Sequence, residues 1–438
     1  MSRERRLRKK NIFVLGLEEY NLQKLKGIRH ARHYRFHGLL EYGEVVKPLD
    51  YPYLELLAKA QRQLQRFSGP IDAIITHWDF PADTLAPLLC RKFGLPSPSL
   101  EDVLKCGHKY WARLEQQKVI PEAIPRFCAF DPFDKDPLSQ IDLPYPFWIK
   151  PVKAFGSFLG FYIDSAETFQ SHLPTIRNNI SRIGDAFNVA LDFADLPPEV
   201  AAIDGNHCIA EELIRGDRQN GPEGYIYQGK VHVNGITDSF KDEEGKSFTR
   251  YEYPSRWPQA MQQKSLEVTE RLMSRIGLDN SAFNLEFIWD EQSGALKLLE
   301  VNPRISQSLS DMFEKVHGSS NHEVAVELAL GLEPDYPRDE GHFNCAAKFM
   351  WRHYGDALVV RTPSEEEIRQ VKERFPETGV YIEAVEGEQL STLRDQDSYS
   401  YEIAILHIGA DDHEQLLQRY AQCREMLTFE FAPAGEER

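Results

Sequence analysis

The sequence predicts a multidomain protein of combined α/β and α+β class. Its 438 residues suffice for several domains at the usual ~100–200 residues per domain. In the first part of the chain, strands alternate with helical stretches, which favours a parallel sheet with crossover helices. The last part, which follows a proline-containing connection, has its own set of strands and helices. A composition of 42% hydrophobic and 27% charged residues is typical of folded chains and argues against wholesale disorder.

After a basic tail at residues 1–10, residues 11–105 are predicted to form an N-terminal α/β, Rossmann-like domain. We interpret the tail as solvated, with a contact arm as the alternative. Three short strands are predicted, at the apolar run 11–15 and at 33–36 and 73–76. Helical patterns follow at 53–66 and 82–93, and Gly94 ends the second of them.

Strand and helix patterns continue through the middle of the chain and into a smaller C-terminal unit. The predicted elements in the middle are a strand–turn–strand unit at 147–163, a weak helix at 167–183, a strand at 207–214, a hairpin at 225–236, a helix at 257–276, strands at 283–289 and 296–302, and a short helix at 319–330. Residues 332–342 are interpreted as a linker. Beyond it, 343–431 is predicted to be an α+β module, in which Ser364 and Glu367 form a capping box.

The most informative segment is the acidic hairpin 283–304, FNLEFIWDEQSGALKLLEVNPR. With its turn at 290–294, Glu286 lies opposite Glu300, where like charges repel. Such a pair needs a proton or a cation, and with the side-chain oxygen of Asn302 it forms a set of hard ligands suited to Mg²⁺. An edge hairpin with two solvated glutamates agrees with the spacing equally well.

Three basic side chains are candidate anion ligands. Arg304 follows Pro303 just beyond the acidic face, where a guanidinium can stabilise transition-state charge. Lys150 ends an apolar strand beside a turn, and Lys109 precedes a helical stretch, so either can reach a phosphate. A solvated role is the alternative for each.

Two further segments could bind the rest of a nucleotide. The loop 153–160 can cover phosphates with its backbone N–H groups, although its two glycines are a weak signal. At 209–217 a strand ends with two carboxylates, which could pair with an adenine amino group and a ribose hydroxyl.

In this order, these segments resemble the ATP-grasp superfamily over about residues 11–330. Lys109 resembles its first nucleotide lysine, and Lys150-Pro151 with Gly156, Ser157 and Gly160 resembles its K-P-x(4)-G-S-x-x-G strand and phosphate loop. The run 211–214, EELI, resembles the hinge between its lobes. Glu286 with the run 300–304, EVNPR, resembles its signature E…E-x-N-P-R, which is the most specific element.

The resemblance implies an ATP-grasp fold in which residues 106–331 form two lobes around ATP. The smaller lobe, at about 147–210, would be a lid, and the larger would span about 211–331. The module at 343–431 looks like the C-terminal piece of amino-acid ligases and of biotin carboxylase-like members.

The resemblance also implies a set of roles. Arg304 would be catalytic, and Mg²⁺ or Mn²⁺ would bind Glu286, Glu300 and Asn302. The implied ATP-binding residues are Lys109, Lys150, Gly156, Ser157, Glu211, Glu212, Leu213, Ile214 and Asp217. The implied activity is ATP-dependent ligation, in which a small-molecule carboxylate becomes an acylphosphate and an amine, such as an amino acid or a short peptide, displaces phosphate.

Two other readings stay open. One is a nucleotide-binding regulatory protein with reduced catalysis, and the other is a carboxylase-like enzyme. Biotin carboxylases carry a glutamate four residues after the signature arginine, and this chain has Ser308 there, which favours amine ligation.

Candidate substrate residues follow from position rather than from a motif. The stretch after Arg304 supplies Ser306, Gln307, Ser310 and His322, for each of which a capping or surface role is the alternative. Trp78 and Asp79 follow the third strand, at the edge of the sheet where ligands bind in such folds. A turn with a packed tryptophan is the alternative there.

Charge and composition limit the partners. The net charge of −17 disfavours nucleic acid as the main ligand. No apolar run approaches the ~18 residues of a membrane helix. The six scattered cysteines favour neither a zinc site nor a disulfide framework, so we expect a cytoplasmic enzyme. Homodimers are common among soluble enzymes, and one is compatible with this sequence.

Overall fold

The computed structural model of the protein describes residues 8–46, 48, 50–155, 158–216, 218–393, 396 and 399–433. Within these residues the strands form four sheets, of three, four, eight and two strands. The sheets follow the chain from its N-terminal part to its C-terminal part, and helices cover them. The resulting architecture is a multidomain α/β fold.

The N-terminal part is a three-stranded parallel sheet with helices packed against it, as the alternation of strands and helices predicts. Its elements are β1 (Lys10–Leu15), α1 (Glu19–Gly27), β2 (Tyr34–Leu39), α2 (Tyr42–Val45), α3 (Tyr53–Arg66), β3 (Ala73–Ile75), α4 (Ala82–Phe93) and α5 (Leu100–Gly107). The strand order β2-β1-β3 places β1 in the centre, where nearly all of its side chains are buried.

The first strand begins at Lys10, within the basic tail that the sequence predicts at residues 1–10. Lys10 already belongs to β1, and Arg8 and Lys10 both pair with the carboxylate of Asp72. Residues 1–7 lie outside the described residues.

A four-stranded antiparallel sheet in the order β4-β7-β5-β6 follows. The elements of this region are α6 (Lys109–Val119), β4 (Phe127–Phe130), β5 (Phe147–Pro151), β6 (Phe161–Ile163), α7 (Ala166–Asn179), α8 (Ser181–Leu191), α9 (Pro198–Ala201) and β7 (Cys208–Glu212). Side chains alternate along β5, so Phe147 and Ile149 enter the core while Lys150 lies on the other face.

An eight-stranded antiparallel sheet forms the largest part of the fold. Its first five strands and the helices near them are β8 (Arg218–Tyr227), β9 (Lys230–Lys241), β10 (Phe248–Tyr253), α10 (Gln259–Ile276), β11 (Ser281–Trp289), β12 (Leu296–Asn302), α11 (Ser310–His317) and α12 (His322–Ala329). The predicted hairpin across Gly229 is present and extends over β8 and β9.

The longest helix, α10, has 18 residues and packs one face on this sheet. Val268, Leu272 and Ile276 are buried on that face. The helix ends at Gly277, whose φ of 82° is the left-handed conformation that glycine adopts readily. No helix in the described part of the chain is both long and apolar enough to span a bilayer.

The C-terminal part continues the same sheet. Its elements are β13 (Cys345–His353), β14 (Ala357–Arg361), α13 (Glu365–Arg374), β15 (Gly379–Ile382), β16 (Tyr401–Ala410), α14 (His413–Met426) and β17 (Glu430–Pro433). Because β13 pairs with β10, the eight-stranded sheet has the order β12-β11-β8-β9-β10-β13-β16-β15. The capping box of Ser364 and Glu367 is present at α13.

The connection at 332–342 contains no helix or strand, but it packs on its neighbours. The Tyr336 hydroxyl donates to the Ser319 carbonyl oxygen at 2.6 Å, and the Tyr225 hydroxyl lies 3.5 Å from the Pro334 carbonyl oxygen. This segment therefore contacts both the large sheet and the region before α12.

Candidate active site

The acidic hairpin of β11 and β12 pairs in the register that the sequence predicts. Glu286 lies directly opposite Glu300 in this register, and Asn284 lies opposite Asn302. On the other face of the hairpin, apolar side chains such as Leu285 are fully buried in the core beneath the sheet. The core thus fixes which face carries the two glutamates, because neighbouring side chains along a strand point to opposite faces.

The environment of Glu286 opposes a second negative charge. Burial and the facing Glu300 raise the pKa of Glu286 to about 7. Gln219 Nε2 donates to one carboxylate oxygen at 3.1 Å, and Asn302 Nδ2 lies 3.4 Å from the other. A divalent cation would relieve the repulsion, and two carboxylates with an amide oxygen are a suitable donor set for Mg²⁺. The residues present therefore fit the metal implied by the resemblance.

Arg304 is bound to Asp79, which joins the hairpin to the N-terminal part. Arg304 Nε donates to one carboxylate oxygen of Asp79 at 3.0 Å, and Nη2 donates to the other at 2.9 Å. The guanidinium and the other nearby cations hold the pKa of Asp79 below its usual value, despite the opposing effect of burial. The structure thus brings together Arg304, predicted as a catalytic residue, and Asp79, predicted as a substrate contact.

Lys109 reaches the acidic hairpin from the start of α6. Its Nζ lies 3.4 Å from Glu300 Oε1 and donates to the Ala154 carbonyl oxygen at 2.6 Å. Burial lowers the pKa of Lys109, and Glu300 opposes that effect. Gly156 and Ser157, which the resemblance places in the phosphate loop, lie outside the described residues.

Glu211 and Lys150 form a buried ion pair with a third residue. Lys150 Nζ lies 2.8 Å from one carboxylate oxygen of Glu211, and Arg113 Nε lies 2.6 Å from the other. These cations overcome the effect of burial and lower the pKa of Glu211 to about 2. The Glu211 carboxylate is therefore occupied by protein partners. Arg113 was missed by sequence reasoning because nothing in its local pattern marks it.

The rest of the predicted hinge lies nearer the surface. Glu212 is exposed, and its carboxylate is 3.8 Å from Arg126 Nε. Leu213 and Ile214 are half-buried. Asp217 lies outside the described residues.

A cavity of about 150 Å³ lies between the acidic hairpin and the N-terminal part of the chain. Glu286, Glu300, Asn302 and Arg304 line it, as do Asp79, Asp83 and Lys153. Asp83 and Lys153 were not predicted from the sequence, although Lys153 lies shortly after Lys150 and Asp83 shortly after Asp79. Anionic and cationic groups thus meet in one small cavity, as the transfer of a charged group requires.

The segment after Arg304 is held by buried polar contacts. Glu223 is fully buried and accepts hydrogen bonds from the Ser306 amide at 2.8 Å and from Asn321 Nδ2 at 2.6 Å. Burial raises the pKa of Glu223 to about 7. Ser310 is also fully buried, and its hydroxyl donates to Asn321 Oδ1 at 2.6 Å. Gln307 is half-buried in a short 3-10 turn.

Trp78 is a half-buried part of the N-terminal core, as the packing alternative predicted. Its indole N–H donates to the Gly16 carbonyl oxygen at 3.0 Å, and its ring meets that of Tyr42 edge to face. His322 is fully buried, and its Nε2 lies 2.8 Å from Asn21 Oδ1.

The sheets and helices define a multidomain α/β protein. Residues 143–311 match the family model described as an ATP-grasp domain. This chain therefore contains an ATP-grasp domain, which agrees with the resemblance inferred from its motifs.

Solved structures of similar fold span nearly the whole chain. An L-amino acid ligase from Bacillus licheniformis is 15% identical, with a TM-score of 0.69 over 97% of this chain and 99% of the other. A phosphoribosylglycinamide synthetase from Anaerococcus prevotii is 13% identical, with a TM-score of 0.64 over 97% and 100%. A biotin carboxylase from Campylobacter jejuni is 13% identical, with a TM-score of 0.63 over 98% and 94%. At these identities the likeness concerns the fold.

Sequence matches among curated proteins are short. The large chain of carbamoyl phosphate synthase from Clavibacter sepedonicus is 31% identical over 106 residues, which is 24% of this chain and 9% of that protein. The corresponding protein from Paenarthrobacter aurescens is 29% identical over 114 residues, 26% of this chain and 10% of the other. The match thus spans about a tenth of the length of these curated relatives.

Proposed function

We propose that this protein is an ATP-dependent ligase that activates a small-molecule carboxylate as an acylphosphate and couples it to an amine, such as an amino acid or a short peptide. The observation that carries the proposal is the single cavity in which Glu286, Glu300, Asn302 and Arg304 converge. The ATP-grasp domain supports the use of ATP. The similarity in fold to an L-amino acid ligase supports C–N bond formation.

In this proposal the acidic hairpin holds Mg²⁺ or Mn²⁺ through Glu286, Glu300 and Asn302. When bound, the metal would neutralise the charge of the transferring phosphoryl group. Lys109, whose Nζ lies 3.4 Å from Glu300 Oε1, would bind ATP phosphate oxygens beside that carboxylate. Lys150, held by Glu211, would supply a second positive charge.

The adenine is assigned to the hinge after β7. Because Arg113 and Lys150 occupy the Glu211 carboxylate, the exposed Glu212 and the backbone of Leu213 and Ile214 are the groups left to contact the base. The four-stranded sheet would close over the nucleotide as a lid and exclude water from the acylphosphate.

Arg304 would stabilise the negative charge that develops on the acylphosphate and on the tetrahedral intermediate. Its bidentate contact with Asp79 fixes the guanidinium plane at the wall of the cavity. Ser308, at the position of the biotin carboxylase glutamate, favours an amine rather than bicarbonate as the second substrate.

The test is release of ADP and phosphate by the full-length protein with Mg²⁺, over pairwise combinations of amino acids, with mass spectrometry of the product. We expect turnover that needs both a carboxylate and an amine. Glu300→Gln should lower it at least about a hundredfold, because one metal carboxylate is lost. Turnover that depends on bicarbonate alone, or ATP binding without any turnover, would contradict the proposal.

The matched control is Glu291→Gln in the turn of the same hairpin. Glu291 is exposed, and its contact with Arg218 is a surface ion pair at 3.6 Å. Because exposed pairs contribute little, this variant should keep the turnover of the parent protein. An equal loss in both variants would mean that the hairpin, and not the metal ligand, had been disturbed.

A further inference from the structure

Asp83 is a buried acidic residue that lines the cavity of the candidate active site. It lies in the first turn of α4 and is only 5% exposed. No residue in the described part of the chain donates a hydrogen bond to its Oδ1. A buried carboxylate oxygen without a donor is unfavourable, so the site is suited to a ligand that carries N–H groups.

The other oxygen of Asp83 has a fixed partner. Lys153 Nζ lies 3.6 Å from Oδ2, and the same ammonium lies 5.4 Å from the ring centroids of Phe80 and of Phe187. These rings and the carboxylate confine Lys153 in a buried position. Asp83 is thus held in place by one oxygen while the other stays free for a ligand.

A second cavity of about 70 Å³ adjoins the first. The two cavities share three lining residues, Asp83, Pro303 and Arg304. Most of the remaining walls of the second cavity are apolar, and Ala86 and Leu328 are among them. A ligand bound to Asp83 beside Arg304 could therefore place a small apolar group in this second cavity.

We propose that Asp83 and the adjoining apolar cavity form the binding site for the amine substrate, which is a primary amine with a small apolar substituent. The ammonium group would donate to Asp83 Oδ1 and lose one proton to this carboxylate, so that the neutral nitrogen can attack the acylphosphate carbonyl and displace phosphate. The substituent would occupy the cavity lined by Ala86 and Leu328. This inference rests on the proposed ligase activity and specifies its second substrate. The position suits that substrate because Arg304, which would stabilise the acylphosphate, lines both cavities.

The test compares an amine with hydroxylamine as the acceptor, in the parent protein and in Asp83→Asn. Hydroxylamine is uncharged at neutral pH and has no apolar substituent, so it traps an acylphosphate without needing this site. In the variant we expect the KM of an alkyl amine to rise at least about tenfold, since a charge-assisted hydrogen bond is lost. Hydroxamate formation and the KM of ATP should stay within about twofold, which also shows that the variant is folded.

A second variant, Ala86→Val, narrows the apolar cavity without touching the charge. We expect it to raise the KM of a branched alkyl amine more than that of methylamine. The control is Glu55→Gln, which changes an exposed carboxylate on α3 and should alter no KM.

The outcomes separate this inference from the proposed function. If the parent protein forms neither hydroxamate nor an amide, both the ligase proposal and the proposed amine site are wrong. If it forms both, an unchanged amine KM in Asp83→Asn overturns the amine site alone. Equal losses with hydroxylamine and with the amine would also overturn it, because Asp83 would then act on the first half of the reaction or on the fold.

Discussion

Individual carboxylates in this protein differ in acidity because they differ in the cations they can reach. Glu211 and Glu223 are both buried, yet the pKa of the first is about 2 and that of the second is about 7. Glu211 contacts Arg113 and Lys150, whereas the hydrogen bonds to Glu223 come from neutral groups. The pKa of Glu286 is also raised to about 7, by burial and by the facing carboxylate of Glu300. Burial raises the pKa of a carboxyl group unless a nearby cation stabilises the charged form.

Glu223 should therefore make stability depend on pH. Its folded pKa of about 7 lies above the usual 4.5, so the folded state binds the extra proton between these values and loses stability as the pH rises through them. Glu223→Gln removes the titrating group. The free energy of unfolding of the variant relative to that of the parent protein should therefore be about 2–3 kcal/mol higher at pH 8 than at pH 5. Urea unfolding at both pH values measures the difference. If the stability of Glu223→Gln changed with pH in parallel with that of the parent protein, the assignment would be wrong. The control is Glu55→Gln, at an exposed site, whose pH profile should be parallel to that of the parent protein.

Residues of the candidate site differ in how far the sequence could predict them. Glu286 and Glu300 could be predicted because the two-residue period and one turn fix their pairing. Arg113 and Glu211 meet across 98 positions of sequence, and Glu223 reaches Asn321 across another 98. No local pattern encodes such contacts, since they depend on how whole elements pack. Asp83 and Lys153 were not predicted from the sequence for the same reason.

Secondary-structure elements are the scale at which local sequence succeeds best. The helices predicted at 53–66 and 82–93 have these bounds in the structure. Pro52 and Pro81 precede their first residues, and Gly94 ends the second helix. The helix predicted at 167–183 is instead two helices, α7 and α8, which extend to residue 191. There the hydrophobic pattern is weak, and packing on the neighbouring cores decides the extent.

The capping box of α13 gives a prediction at the scale of one element. The Ser364 hydroxyl accepts a hydrogen bond from the Glu367 amide at 3.2 Å, and Glu367 accepts one from the Ser364 amide at 2.7 Å. Ser364→Ala should destabilise the protein by about 1 kcal/mol, because an N–H group at the helix start loses its partner. Thermal unfolding measures the change. Ser171→Ala, in the exposed interior of α7, is the control and should be neutral or slightly stabilising.

At the scale of the whole molecule, one sheet connects parts that the sequence describes as separate. The sequence suggested a linker at 332–342 and a smaller C-terminal module at 343–431. In the structure, β13 of this module pairs with β10, which precedes the linker. Turn residues and composition mark where a chain leaves an element, but they do not show which strand it joins next. The order of the eight strands is therefore information that only the assembled structure contains.

Because the sheet is continuous, cutting the linker should not separate the two parts. Leu332 and Glu333 are exposed, so a protease site inserted between them should be cleaved while the fold stays intact. The pairing of β10 with β13 and the buried contact of Tyr253 and Ala346 in one apolar cluster should hold the fragments together. We expect the cleaved protein to elute from a sizing column with the intact 50.5 kDa chain and to separate only in denaturant. Two folded fragments that elute apart in native buffer would show that the C-terminal part is independent and that the shared sheet contributes little to stability.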